Sequence, residues 1–199
     1  MNGPMLNDLT TPLSLLETRR SGKPRELAGP GPTPDELERM LIIAGRVPDH
    51  GKLQPWRFIT VADNQRGALA QLLLEALDSE VPEAGPAHRQ KEEDFAHYQG
   101  QLVVLASAPI PDHKIPVWEQ ELSAGAAGMN LLLAAHAMGF VAGWVTGWRT
   151  YSERVRTAFC GNGERIAGFI FIGKAGRELE ERPRPALADI ARPWSPPAA

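Results

Sequence analysis

Residues 117–149 read VWEQELSAGAAGMNLLLAAHAMGFVAGWVTGWR, and between Glu121 and Arg149 there is no Asp, Glu, Lys or Arg. A window of that kind is long enough to cross a bilayer. Gly125, Gly128, Gly139, Gly143 and Gly147 break it up, Asn130 and His136 are polar, and its weight lies in Ala and Gly rather than Leu, Ile and Phe. A membrane span is therefore not expected. The pattern predicts a helix buried on most sides that ends near Gly139, then a buried strand from Val141 to Val145. No proline occurs between Val117 and Arg182, so the most regular part of the core is expected there.

On the N-terminal side, Thr11-Pro12 opens a helix carrying Leu13, Leu15 and Leu16, which should stop between Arg19 and Gly22. Leu27 to Pro32 reads as a loop. Thr33-Pro34-Asp35-Glu36 is a capping box, and the helix after it should turn Leu37, Met40, Leu41 and Ala44 inward. Pro48 to Pro55 is a polar loop, and Arg57 to Ala62 alternates as a strand does. Ala68, Leu69, Leu72, Leu73, Ala76 and Leu77 give the next helix its inward face, with Pro82 as its stop. Glu83 to Gln99 reads as an exposed cover, and Leu102 to Ala108 as an inner strand. Ser152 should cap a short helix running to Phe159, Ile166 to Ile172 is the last strand, and the tail from Glu178 should wrap over the folded body.

Interspersed helices and strands without a repeat predict an α+β fold, and 199 residues suit a single domain over 1–199. With 43% hydrophobic and 23% charged residues the chain has the composition of a globular protein. Lys+Arg of 21 against Asp+Glu of 24 leaves a formal net charge of −3, too little positive charge to gather on a phosphate backbone, so nucleic acid is not an expected partner. A lone cysteine, Cys160, and an N-terminus without a secretory pattern predict a cytoplasmic protein.

Three clusters carry chemistry. Arg19-Arg20-Ser21-Gly22-Lys23-Pro24-Arg25 reads either as an anion seat, with guanidinium forks and a hydroxyl held in a turn, or as a solvated helix end. Arg46 to Trp56 packs ionisable, amide and aromatic side chains between Pro48 and Pro55. Trp118-Glu119-Gln120-Glu121 leads into small residues that let a helix or a flat ligand come close, and Trp144-Val145-Thr146 sits at a strand end, where ligands often lie. Asp49, His50, Asp112 and His113 lack metal-ligand spacing, so no metal is expected. No nucleophile elbow, Walker loop or dinucleotide glycine pattern occurs.

Together these are the parts of a site for a flat aromatic cofactor with a phosphate tail. The sequence resembles the FMN-dependent nitroreductase family, especially its short bacterial branch of NAD(P)H nitroreductases. The resemblance is carried by Arg19-Arg20-Ser21, by Pro48-Asp49-His50 with Gln54-Pro55-Trp56, by Trp118-Glu119-Gln120-Glu121 with Ser123-Ala124-Gly125, and by Gly139-Phe140 before Trp144. It implies a nitroreductase-like, mostly antiparallel sheet flanked by helices, and a homodimer with each flavin between two subunits. It further implies that Arg19, Arg20 and Ser21 grip the FMN phosphate and ribityl chain. Arg46 and His50 would lie along the cofactor, usually from the partner subunit, and Trp144, Val145 and Thr146 beside the ring. NAD(P)H and a nitroaromatic or quinone-like acceptor would take turns over one ring face in ping-pong order, with no acid or base committed by the protein. A flavin-binding or flavin-consuming protein without such turnover is the alternative. Against the wider family's motifs, Lys23 and Arg25 stand irregularly after Ser21, Leu27 replaces an aromatic residue, Asp49-His50 replaces two serines, and Lys52 replaces an asparagine.

Overall fold

The computed structural model describes residues 5–197. Helix α1 spans Pro12–Thr18, α2 Pro34–Ala44, α3 Arg66–Glu80, α4 Pro86–Ala96, α5 Val117–Ala137, α6 Trp148–Tyr151, α7 Glu153–Phe159 and α8 Leu187–Ile190. The strands are β1 Leu27–Ala28, β2 Trp56–Val61, β3 Gln101–Ser107, β4 Val141–Val145 and β5 Arg165–Ala175.

All strand pairs are antiparallel: β2 lies beside β3, β3 beside β5, and β5 also carries β4 and the short β1. Because β3 and β5 are central, both their faces are covered, and their alternate residues feed two cores. Leu102, Val104, Phe169 and Phe171 pack with α3, α4 and α7, while Val103, Leu105, Ile170 and Ile172 pack with α2 and α5. That double covering is why these strands are apolar throughout.

The caps fall where expected. Thr11 and Thr33 form capping boxes with Ser14 and Glu36, with Pro12 and Pro34 in the first turns of α1 and α2. Helix α5 stops at Met138, after which Gly139 takes φ 77°, a left-handed turn that favours glycine, and β4 follows at once. Three details depart from the sequence-based expectation. Leu27–Ala28 is not loop but pairs with Lys174 and Ala175; Ala68 faces solvent while Ala70 takes the inward place on α3; and Glu92, Phe95 and Ala96 of the presumed cover are buried.

The Ser152 hydroxyl accepts the Val155 amide at 3.1 Å and is itself buried. Ser152→Ala is expected to cost about 1 kcal/mol, read as a lower urea midpoint at unchanged m-value.

Candidate functional site

Helix α1 ends at Thr18, and the chain turns into an extended segment at Arg19. There Arg19 Nη1 donates to Ser21 Oγ at 3.1 Å, and Arg184 Nη2 donates to the Arg19 carbonyl at 3.4 Å. Burial and then the charges of Arg184, Arg182 and Arg20 push the Arg19 pKa below the ordinary arginine value, with Glu181 opposing. Like charges gathered around the Arg19 guanidinium repel, and an anion placed among them would relieve that repulsion. Arg20 faces elsewhere: its Nε donates to the Glu180 carbonyl at 2.6 Å and its Nη1 to the Ser21 carbonyl at 3.1 Å. It fastens the tail rather than offering a free fork. Lys23 and Arg25 lie 3.4 and 3.6 Å from the Glu26 carboxylate, which also meets Arg177 at 2.9 Å.

From Ser21 the chain crosses β4. A Cβ on Gly143 would collide with the Gly22 carbonyl and crowd Pro24, so the glycine permits this close crossing. Beyond it opens a cavity of about 410 Å³, between the Gly22–Arg25 segment, the α4 side chains Lys91 and Phe95 with Tyr98 just past that helix, and the turn from Val145 to Arg149. Phe95, Tyr98, Val145 and Trp148 belong to or pack against one of the two cores, so the apolar part of its wall is fixed. A cavity of about 560 Å³ between residues 29–33 and 97–101 is lined by none of the cofactor-site residues expected from the sequence.

The turn after β4 is held by a buried ion pair. Arg149 Nε and Nη2 each bond to Glu92 at 2.7 Å, Nη1 donates to the Thr146 carbonyl at 3.3 Å, and the guanidinium lies 3.8 Å from the Phe95 ring centroid. Val145 and Thr146 thus line the cavity. The Trp144 side chain points the other way, into the core against Gly128 and Gly168, with Nε1 donating to the Ala167 carbonyl at 3.1 Å.

Arg46 and His50 belong to a loop docked on α5, where Ser123 Oγ donates to the Pro48 carbonyl at 2.6 Å and Asn130 Nδ2 to the Ile43 and Arg46 carbonyls. His50 Nδ1 pairs with Glu119 at 2.7 Å, both side chains exposed. The Asp49 carboxylate accepts the Leu53 and Gln54 amides and so shapes the loop. Glu119 is near the start of α5, whereas His136, close enough to Arg19 for its pKa to be pressed down, is near the end; at the helical rise the two positions are about 25 Å apart along the axis. Within one chain, His50 and Arg19 therefore sit toward opposite ends of α5. Among the described residues no group of three or more His, Cys, Asp or Glu is disposed to hold a metal.

The sequence model of the Nitroreductase family matches residues 16–174. The chain belongs to the nitroreductase family. A Haemophilus influenzae relative named "Putative NAD(P)H nitroreductase" is 39% identical over 172 residues, 85% of this chain and 91% of that protein. The nitroreductase-like family protein of Bacillus cereus shares the fold with a TM-score of 0.76 at 19% identity, covering 96% of this chain and 97% of the other. The FMN and NADPH-dependent nitroreductase NfnB of Sphigopyxis sp. strain HMH superimposes with a TM-score of 0.69 at 18% identity, covering 90% and 97%. This nitroreductase-family chain is an oxidoreductase, and among its described residues no helix is long and apolar enough to cross a membrane.

Sequence reasoning did not find the α4 wall of the nitroreductase cavity. A signal was present: Lys91 and Phe95 stand four apart on one helical face, and Tyr98 follows three residues on, inside a polar stretch. Sequence left the cation completing the Arg19 corner open, and the structure brings Arg184 there from the far end of the chain.

Proposed function

We propose that this oxidoreductase is a cytoplasmic homodimer that binds FMN and uses NAD(P)H to reduce nitroaromatic or quinone-like acceptors. One observation carries the reading: the chain leads from the Arg19–Ser21 corner directly into Gly22–Arg25, one wall of a cavity that Val145 and Thr146 also line. FMN has the matching parts, a dianionic phosphate for the crowded arginines and a planar ring for the cavity. The bound flavin supplies the hydride chemistry. Arg19 and Arg184 supply charge to the phosphate and Ser21 a hydroxyl, while the Val145–Gly147 turn closes one side of the ring site. Lys23 and Lys91 line the cavity as cations, and no carboxylate does, so negative charge on the ring is favoured there.

Arg19 and His50 reach the same FMN when they come from two copies, because they lie toward opposite ends of α5. Trp118, Leu122 and Met129 form an exposed stripe on that helix, with Trp118 67% exposed, and Ile42 of α2 is exposed as well. Apolar surface of this kind suits a large, permanent interface. The NADPH and FMN dependence in the name of the Sphigopyxis protein agrees with the cofactor choice.

The deciding experiment is anaerobic: purified protein is loaded with FMN and NADH or NADPH is added. Bleaching of the flavin absorbance is expected, followed by its return on adding a nitroaromatic, with parallel double-reciprocal plots in the steady state. A flavin that stays yellow with both nucleotides leaves the protein a flavin binder without turnover.

A further inference from the structure

The Arg149–Glu92 pair joins residues from α6 and α4 that are far apart in sequence, and both side chains are almost wholly buried, at 6% and 2% exposure. Its geometry uses the whole guanidinium fork: two nitrogens go to the carboxylate and the third to the Thr146 carbonyl. Buried ion pairs are poor stabilisers, because removing two charges from water offsets most of their attraction, and apolar residues of similar volume replace them at little cost. Core packing therefore does not require charge here. Phe95, which stacks on the guanidinium, already contacts Phe169 and Phe171 edge to face, so an apolar pair would extend an existing cluster.

The pair touches one thing that an apolar pair could not hold. Between β4 and α6 the chain passes through Gly147 at φ 125°, a backbone conformation that L side chains rarely adopt, and a Cβ there would meet Arg149 Nη1. The same Nη1 bonds to the Thr146 carbonyl. The turn thus takes an unusual shape, Arg149 is the side chain bonded across it, and the turn forms a wall of the 410 Å³ cavity.

We infer that Arg149, clamped by Glu92, is a positioning residue that fixes the Thr146–Gly147 turn in the shape required of the ring site. Arg149 supplies the bond to the turn. Glu92 supplies the charge that allows a guanidinium to remain buried and fixes its orientation through two parallel bonds. This rests on the flavin reading above.

The test separates positioning from folding. Removing Glu92 alone leaves a buried unpaired cation and risks the fold, so the informative protein is the double variant Glu92→Leu/Arg149→Met. Its urea midpoint without FMN is expected to stay near that of the parent chain. Its FMN dissociation constant is expected to rise about tenfold, the usual scale for losing the alignment of a polar contact, and the visible bands of bound flavin to shift. Faster amide exchange at Val145, Thr146 and Gly147 is expected in the apoprotein. Should the double variant not fold, Arg149→Lys serves in its place. Its ammonium keeps the charge pair but cannot reproduce the planar fork, and an intermediate FMN affinity is expected. Parental FMN affinity, spectrum and exchange in the folded double variant, or in Arg149→Lys where that is the folded one, overturn the inference and leave a buried ion pair only. A parent chain that takes up no FMN overturns the flavin reading and this inference together.

Discussion

Replacing Arg19 by alanine is expected to weaken FMN binding ten- to a hundredfold, the roughly 1.5–3 kcal/mol of a charge-assisted hydrogen bond to phosphate. The same change at Arg20 is expected to leave FMN affinity within about threefold of the parent, because below about 0.6 kcal/mol no direct bond has been lost. The asymmetry follows from where the two forks point. Arg19 lies beside Ser21 Oγ in a cluster of like charges, whereas Arg20 donates to the Glu180 and Ser21 carbonyls. Quenching of flavin fluorescence on titration with apoprotein gives both affinities. Parental affinity in the Arg19 variant would return Arg19 to the role of a solvated helix end, and equal losses in the two variants would overturn the asymmetry. Arg184→Ala, which removes the cation brought in by the tail, is the companion measurement.

That asymmetry was not legible in the sequence, although the cluster was. Three adjacent residues with chemistry in common read as a unit, and only the tail, 160 positions away, distinguishes Arg20 from its neighbour. The same limit explains the Arg149–Glu92 pair and strand β1, since a two-residue strand has no periodicity and exists only because Lys174 and Ala175 lie opposite. Trp144 is different. Strand alternation puts Ala142 and Trp144 on one face of β4 and Val141 and Val145 on the other, so the two neighbours could not both turn side chains to one ligand. What the sequence shows well is whatever depends on local pattern: the capping boxes, the apolar runs of β3 and β5, and helix α5, uncharged beyond Glu121 and ending at a left-handed glycine. The tail expectation holds only for its first part. Leu179 packs on the core and Glu180 is tied to Arg20, but Leu187, Ile190 and Trp194 lie exposed, the last at 82%.

His136 should make the protein acid-sensitive. It is buried near the end of α5, neither ring nitrogen has a hydrogen-bond partner, and its pKa is lowered from 6.5 to about 4. Burial is the first cause and the nearby Arg19 charge the second, while the Phe140 backbone acts weakly in the opposite sense from outside hydrogen-bonding geometry. Between pH 4 and 6.5 the unfolded chain therefore holds a proton at this site that the folded chain does not. Stability from this residue is fully present above pH 6.5 and is lost as the pH falls toward 4, by about 3 kcal/mol in all. Methionine is close to histidine in volume and brings no proton to bind. With both ring nitrogens unpartnered there is little hydrogen bonding to forfeit, so His136→Met is expected to match the parent at pH 7. At pH 4.5 it should be the more stable protein by most of that difference. Urea unfolding at the two pH values measures it, and subtracting the variant from the parent removes the carboxylate titrations common to both. Identical pH slopes would mean that the histidine is protonated as readily in the folded chain as in the unfolded one. FMN gives a second handle on the same residue: a phosphate beside Arg19 cancels the lesser of the two causes, so the loaded parent should lose less stability on acidification than the apoprotein, with burial setting what remains.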